Sequence, residues 1–211
     1  MNKVNKYTKS LLILTFISFF PINCLSTKEV VAKTLGPSET VKIFQSHLLK
    51  IMKNAKNTNV MQRYNHLASN INKTFHFPLM VQIATGNSWK QATNAEQLKL
   101  IDSFRRMSVM TLAALFNGYN GEVFKVKNEK EGPQKTTLVS TELIKADKSK
   151  IVIIYVTRPF KSGWRIIDVI VDKGISELLV RRSEYKLVLK SNGISGLIKL
   201  LDKKAEQLSL Q

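Results

Sequence analysis

The spacing of apolar residues changes along this chain, and the change constrains its fold more than any other feature. In the first half, apolar residues recur at helical spacing, whereas from Glu122 they alternate with polar residues. Two nearly continuous runs of β-branched and aromatic residues then follow at 151–156 and 164–171. Such runs are typical of strands that are covered on both faces. The sequence therefore predicts helices first and a sheet after them.

Helix signals divide the first half into four segments. Pro37 suits the first position of an opening helix, and a second helix spans the region from Val60 to Ile71. A short helix over 78–84 should end at Gly86. Thr93 and Glu96 form a capping box, which predicts the strongest helix, from Thr93 to about Tyr119.

Short, polar connections separate the strand segments 122–128, 137–143, 151–156 and 164–171. This spacing favours four antiparallel strands in a meander. A helix over 176–191, a cap at 192–193 and a last helix over 194–208 complete the chain. We predict a single α+β domain, with helices at both termini and a four-stranded antiparallel sheet.

The first 26 residues have the pattern of a cleavable signal peptide. Three lysines precede an apolar run at 11–20, which is about half the ~20 residues needed to cross a bilayer. Cleavage is predicted after Ser26, with Ala32 as the second choice. Cys24 is the chain's single cysteine, but residues 21–23 lack the leucine and small residues of a lipoprotein signal. We expect an exported protein that folds without disulfides.

The chain is strongly basic, with 33 Lys and Arg against 15 Asp and Glu and a formal net charge of +18. A charge of this sign favours nucleic acid, an anionic membrane surface or acidic partners. Export removes nucleic acid from consideration. Transient contact with an anionic membrane remains, and Lys125, Lys127, Arg158 and Lys161 are candidate docking residues.

Few residues have the type and spacing of a metal-binding or catalytic site. His47, His66 and His76 lack the spacing of a metal site, and no nucleotide-binding or hydrolase motif occurs, so we predict no metal, no cofactor and no catalytic residue. Asp168 lies in an otherwise apolar strand, where a carboxylate is costly unless it is paired. It acts either as a general base or as the partner of an arginine such as Arg181 or Arg182 on the next helix.

Large or flexible apolar side chains concentrate where helices and sheet should meet. They either fill a core or line a cavity, because composition does not separate the two arrangements. The candidate cavity residues are Phe75, Phe77, Met80, Phe104, Met107, Met110, Phe116, Tyr119, Tyr155, Trp164, Ile166, Ile170 and Tyr185.

Several segments resemble, in order and spacing, the MlaC or toluene-tolerance family of periplasmic lipid-binding proteins, and within it the hopanoid-associated HpnM branch. His76 is a departure, since many members have Asp there. The matching segments are Phe77 to Gly86 with Trp89, Ala92-Thr93, and residues 101–107, 116–122, 163–169, 174–178, 181–185 and 193–198.

This resemblance implies that residues 27–211 form a periplasmic lipid-binding domain of NTF2-like character, with a curved four-stranded antiparallel sheet and a cavity between sheet and helices. It implies transport of phospholipid or a hopanoid-related lipid between an outer-membrane lipoprotein complex and an inner-membrane ABC transporter complex. Asp168 and Arg182 would then form a structural clasp. Two alternatives stay open, an enzyme on the same scaffold with Asp168 as base, and an exported interaction module with a solid core.

Overall fold

The computed structural model describes residues 35–172 and 174–211. The predicted signal peptide, residues 1–26, lies outside the described residues. No helix within the described part of the chain is long and apolar enough to cross a membrane.

The helices begin and end largely where the sequence predicts. Asn59 with Gln62 and Thr93 with Glu96 close capping boxes at the starts of the second and fifth helices. Gly193, at φ 61°, kinks the last helix, which continues through the position where we predicted a cap. The helices are α1 (Pro37–Lys53), α2 (Val60–Thr74), α3 (Phe77–Thr85), α4 (Asn87–Gln91), α5 (Asn94–Leu115) and α6 (Glu177–Ser209), with 3-10 turns at Ala55–Asn57 and Pro133–Lys135.

The sheet is an antiparallel meander in the order β1-β2-β3-β4-β5. The predicted α+β class is confirmed. The fifth strand has two residues and is absent from the prediction, because so short a segment shows no periodicity. The strands are β1 (Val123–Glu131), β2 (Thr137–Ile144), β3 (Lys150–Phe160), β4 (Gly163–Val171) and β5 (Ile175–Ser176).

Helix α1 contacts all four long strands on one face of the sheet, and α5 packs on α2, α3 and α6. Tyr155 and Ile153 of β3 are buried on the face that α1 covers. On the opposite face Ile154 and Val156 are only half-buried, and Val152 is 45% exposed. The prediction that these strands are covered on both faces is therefore wrong. Apolar neighbours in adjacent strands cover the outer face in part, and no described residue forms a second layer over it.

Buried hydrogen bonds fix α1 to the sheet. The Gln45 amide nitrogen donates to Thr141 Oγ1 at 3.1 Å and to the Tyr155 hydroxyl at 3.4 Å. Thr141 in turn donates to the carbonyl of Ile153 at 2.9 Å. All of these side chains are buried, where an unpaired polar group costs about 1–3 kcal/mol. The network therefore selects one position of α1 across the strands.

The Asp168 carboxylate joins β4 to the start of α6. Its oxygens accept hydrogen bonds from the Ser176 hydroxyl at 2.6 Å, the Leu178 N–H at 3.1 Å and the Val169 N–H at 2.7 Å. A carboxylate is favourable here because the N-terminus of a helix carries partial positive charge. These partners replace the Arg182 guanidinium predicted from the sequence, and no ion pair between Asp168 and Arg182 occurs in the described residues.

His76 caps the N-terminus of α3. Its Nδ1 accepts a hydrogen bond from the Leu79 N–H at 3.1 Å, and its ring stacks on Phe160 at a centroid distance of 3.8 Å. Burial lowers the pKa of His76 below its usual 6.5, and the charges of Arg165 and Arg158 act in the same direction.

We predict that His76 makes the fold less stable in mild acid. Because the unfolded chain takes up this proton before the folded chain does, the stabilising contribution of His76 is complete above pH 6.5 and declines below it. His76→Asn keeps a capping acceptor without the titration. Urea unfolding of both proteins from pH 7.5 to 5 should show the wild type losing stability relative to the variant. A difference that does not change with pH would contradict this assignment.

Candidate functional site

A cavity of about 540 Å³ lies between the inner face of the sheet and the helices. Its walls come from five helices and three strands, so it is a feature of the whole fold and not of one loop. The apolar lining residues are Phe44, Leu48, Met52, Ile71, Phe75, Phe77, Met80, Val109, Leu112, Leu115, Phe116, Leu143, Ile151, Ile153, Tyr155, Val169, Val171 and Leu178.

Aromatic rings form a continuous part of this wall. Phe44 of α1 contacts Phe75 edge-to-face at a centroid distance of 4.8 Å and Tyr155 at 5.9 Å. Phe75 then stacks on Phe77 at 5.9 Å. Such contacts fix the positions of these rings between α1, α3 and the sheet.

The cavity is apolar inside and polar at one end. The interior wall presents apolar surface. Its buried residues include Phe44, Leu48, Phe75, Met80 and Ile153. The polar lining residues are half-buried or exposed and come mainly from the segment after α5, the turn before β3 and the start of α6. They are Ser108, Thr111, Asn117, Asn120, Glu122, Lys145, Asp168, Glu177 and Arg181.

Charges of both signs surround this mouth. Arg181 lies with its guanidinium carbon 5.6 Å from the centre of the Phe104 ring, and its Nη1 donates to the Met107 sulfur at 3.5 Å. Neither Arg181 nor Lys145 forms an ion pair within the described residues, so both can contact a ligand. In the interior the Tyr155 hydroxyl is the polar group, and burial raises the pKa of Tyr155 to about 12, which keeps it neutral.

Comparison with known proteins now assigns the family. Residues 43–203 match the family described as MlaC protein. The chain belongs to the MlaC family. No curated protein matches it.

A solved structure has the same fold as this MlaC-family chain. It is the phospholipid-binding protein from Ralstonia solanacearum in complex with a phospholipid. The two share 21% sequence identity with a TM-score of 0.71, over 81% of this chain and 97% of the other. At this identity the match establishes the shared architecture.

The structure places some predicted cavity residues of this MlaC-family chain on the cavity wall and others elsewhere. Phe75, Phe77, Met80, Phe116 and Tyr155 line the cavity. They come from the α2–α3 junction, the end of α5 and the inner face of β3.

The remaining predicted residues lie outside the cavity wall. Phe104 and Tyr185 pack edge-to-face at 6.5 Å between α5 and α6, in the same buried region as Met107 and Met110. Ile166 is fully buried beside Phe75, with which it forms an isolated parallel bridge. These residues belong to solid core.

Three further candidates are directed away from the cavity by the sheet register or by a helix end. Ile170 pairs with Ile154 on the outer face, and Trp164 pairs with Pro159 at the far end of the sheet. Tyr119 follows the end of α5, four residues short of the predicted length, and Lys53 Nζ lies 5.3 Å above its ring. A sequence with unknown register does not reveal which of two adjacent strand residues faces inward.

Two of the four predicted docking residues, Arg158 and Lys161, are displaced from the mouth. The other two, Lys125 and Lys127, lie on β1, which begins directly after Glu122 of the mouth but does not contribute them to the wall. The mouth includes Ile151 and Val171, whereas Arg158 and Lys161 lie at the opposite end of β3. Seven residues of strand separate Ile151 from Arg158, which is about 23 Å. The cations on the cavity wall are instead Lys145 and Arg181.

Sequence reasoning missed the wall residues of α1. Phe44, Leu48 and Met52 share one face of the helix, and apolar residues at helical spacing are the same signal for a solid core and for a cavity wall. Ile153, Val169 and Val171 follow from the register once Tyr155 is known to face inward. The interaction-module alternative required a filled interior, and the cavity contradicts it.

No cluster of metal-binding side chains occurs among the described residues. The Asp168 oxygens, which the enzyme alternative requires as a base, accept hydrogen bonds from three donors of the chain itself. This geometry gives Asp168 the position of a structural group at the edge of the cavity.

The cavity predicts a difference between two equivalent substitutions in α6. Leu178 and Leu197 are both buried, but only Leu178 lines the cavity. Leu197→Phe overpacks a solid core and should cost about 1–3 kcal/mol, whereas the ring of Leu178→Phe enters open space and should cost less than about 1 kcal/mol. Urea unfolding of both variants measures the difference. Equal losses would show that the space beside Leu178 is not open in solution.

Proposed function

We propose that this chain is a lipid carrier that holds hydrocarbon in its cavity and leaves the polar headgroup at the mouth. The observation that carries the proposal is the gradient in the lining, from buried aromatic and aliphatic side chains to exposed amides and charges. An amphipathic ligand matches this gradient, and a small polar substrate does not.

Magnitudes favour an enclosed site over a surface groove. Two acyl chains hold about 30 methylenes, and exposing them to water costs ~24 kcal/mol at about 0.8 kcal/mol each. A groove that covered half of them would leave ~12 kcal/mol uncompensated. A carrier that crosses an aqueous space therefore needs a deep cavity of the kind found here.

The cavity volume limits how much hydrocarbon enters without movement. A volume of 540 Å³ holds roughly 18 groups of the size of water, at about 30 Å³ each. This is room for one acyl chain or a compact polycyclic skeleton. A second chain requires the walls to move, and Met52 and Met80, which are flexible and buried in the wall, are suited to adapt.

Polar groups at the mouth and on α5 are placed for the head of the ligand. Arg181 and Lys145 supply positive charge for a phosphate, and Glu122 and Glu177 supply negative charge for an amine. Ser108 Oγ is buried without a hydrogen-bond partner within the described chain, so it is available to a carbonyl or hydroxyl of the ligand. A glycerophospholipid carries all of these groups.

Family membership and the Ralstonia solanacearum phospholipid-binding protein support this function by likeness. We further propose that residues 1–26 direct export to the periplasm. There the carrier would exchange phospholipid, or a hopanoid-related lipid, between an outer-membrane lipoprotein complex and an inner-membrane ABC transporter complex. Transfer of this kind breaks no bond, and it needs no catalytic group.

We predict that the protein purified without detergent carries lipid that native mass spectrometry detects. Val171→Trp should reduce lipid occupancy about tenfold or more, because the indole takes the place of at least two methylenes worth about 0.8 kcal/mol each. Val171 lines the cavity, and its neighbour Ile170 faces outward on the same strand.

Ile170→Trp is the matched control and should retain wild-type occupancy. If both variants carry as much lipid as the wild type, lipid binds elsewhere on the surface. If the folded wild-type protein is empty and does not take up added phospholipid, the carrier proposal is wrong.

A further inference from the structure

A long part of the chain contains no acidic side chain. Between Glu39 and Glu96 there is no Asp or Glu, and the segment includes α2, α3 and most of α1. Lys42 pairs with Glu39 at 3.0 Å, and no other basic residue of this segment forms an ion pair among the described residues, so these other charges are available to an external anion. The basic residues of this segment are Lys42, Lys50, Lys53, Lys56, Arg63, Lys73 and Lys90.

Part of this segment folds into a second cavity of about 330 Å³, which we call the α1–α2 pocket. Lys50 and His47 of α1 and Arg63 and His66 of α2 contribute to its wall, together with asparagine amides and hydroxyl groups. The wall includes no carboxylate and, apart from Ile51, no purely apolar side chain. This lining is the reverse of that in the lipid cavity, whose wall includes Phe44, Leu48 and Met52 on another face of α1.

Arg63 is the central group of the α1–α2 pocket. It is only 7% exposed, and its Nε donates to the carbonyl of Ala113 at 2.8 Å while Nη1 donates to the carbonyl of Thr58. The Ala113 carbonyl belongs to the last turn of α5, where the helix dipole supplies only partial negative charge. A guanidinium has five N–H donors, and Nη2 has no hydrogen-bond partner within the described residues.

Buried charges in proteins are normally paired. Yet the buried Arg63 forms no ion pair among the described residues, and neither does Lys50, which is exposed. The two carbonyls fix the orientation of Arg63 and leave its charge uncompensated. A bound anion would supply the missing counterion at a preformed position.

We propose that the α1–α2 pocket binds a phosphate-class oxyanion through Arg63 and Lys50, with His66 at its edge. A fixed planar guanidinium suits an oxyanion, since it donates parallel hydrogen bonds, and the lysine adds a mobile point charge. The ligand is either free phosphate or the phosphate of a lipid headgroup at a membrane surface. The site does not depend on the lipid cavity having the proposed function.

Calorimetric titration with inorganic phosphate at constant ionic strength tests the site. Lys50→Gln should weaken phosphate binding about tenfold, which is the loss of one charge-assisted hydrogen bond. Lys73→Gln is the matched control, because Lys73 is exposed on α2 and lies outside the pocket. It removes the same charge and should leave the affinity within about twofold. Arg63→Met is a less suitable test, because Arg63 also anchors the end of α5.

Vesicles distinguish the two sources of phosphate. Cosedimentation with phosphatidylcholine vesicles, with and without phosphatidic acid, shows whether a headgroup is the ligand. Binding that needs phosphatidic acid and falls in Lys50→Gln but not in Lys73→Gln assigns the headgroup, even if free phosphate does not bind. Equal losses in the two variants would reveal only diffuse attraction to a basic surface and would overturn the proposal. Absence of binding to both probes would overturn it as well.

Discussion

The hydrogen bonds from Gln45 to Thr141 and Tyr155 are the constraint on which the rest of the structure depends. They fix α1 at one distance and angle across the sheet. A purely apolar contact would allow the helix to settle closer, since burial of apolar surface has no preferred direction. Here the polar groups must be satisfied first, and the edge-to-face contact of Phe44 with Phe75 supports the same spacing. The lipid cavity between helices and strands follows from these fixed positions.

Secondary structure was largely predictable because each signal is local. The capping box of Thr93 and Glu96 and the positive φ of Gly86 and Gly193 lie where the sequence indicates. The end of α5 was harder to place, because apolar residues continue beyond Leu115 into the Asn117-Gly118 turn. The outer face of β3 was misjudged for a related reason. Continuous β-branched residues describe apolar content and do not reveal which layer covers each face.

The candidate site was less predictable than the fold, because lining a cavity is a property of register and of helix rotation. Tyr155 lines the cavity while Ile170 faces outward, although both lie in similar apolar runs. The Asp168 carboxylate was correctly expected to need partners. They turned out to be Ser176 and the backbone of Leu178, which no charge pattern in the sequence indicates. The burial of Arg63 was not predicted, because it arises from contact with α5, far along the chain.

The two cavities give α1 two chemically opposite environments. One face contributes Phe44, Leu48 and Met52 to the lipid cavity, and another contributes His47 and Lys50 to the α1–α2 pocket. A lipid carrier has to hide hydrocarbon and still recognise anionic surfaces where lipid is collected and released. Along the helix the two features lie within a few ångströms of each other, since His47 and Leu48 are adjacent residues.

The most direct test of the account is a crystal structure of the protein with a phospholipid whose acyl chains are brominated. Anomalous scattering locates bromine independently of how the chain is traced. The account predicts bromine peaks inside the lipid cavity, beside Ile153, Met80 and Leu178, with the headgroup near Arg181 and Lys145. Bromine found only on the outer face of the sheet, beside Val152 and Ile154, with the interior filled by protein side chains, would contradict it.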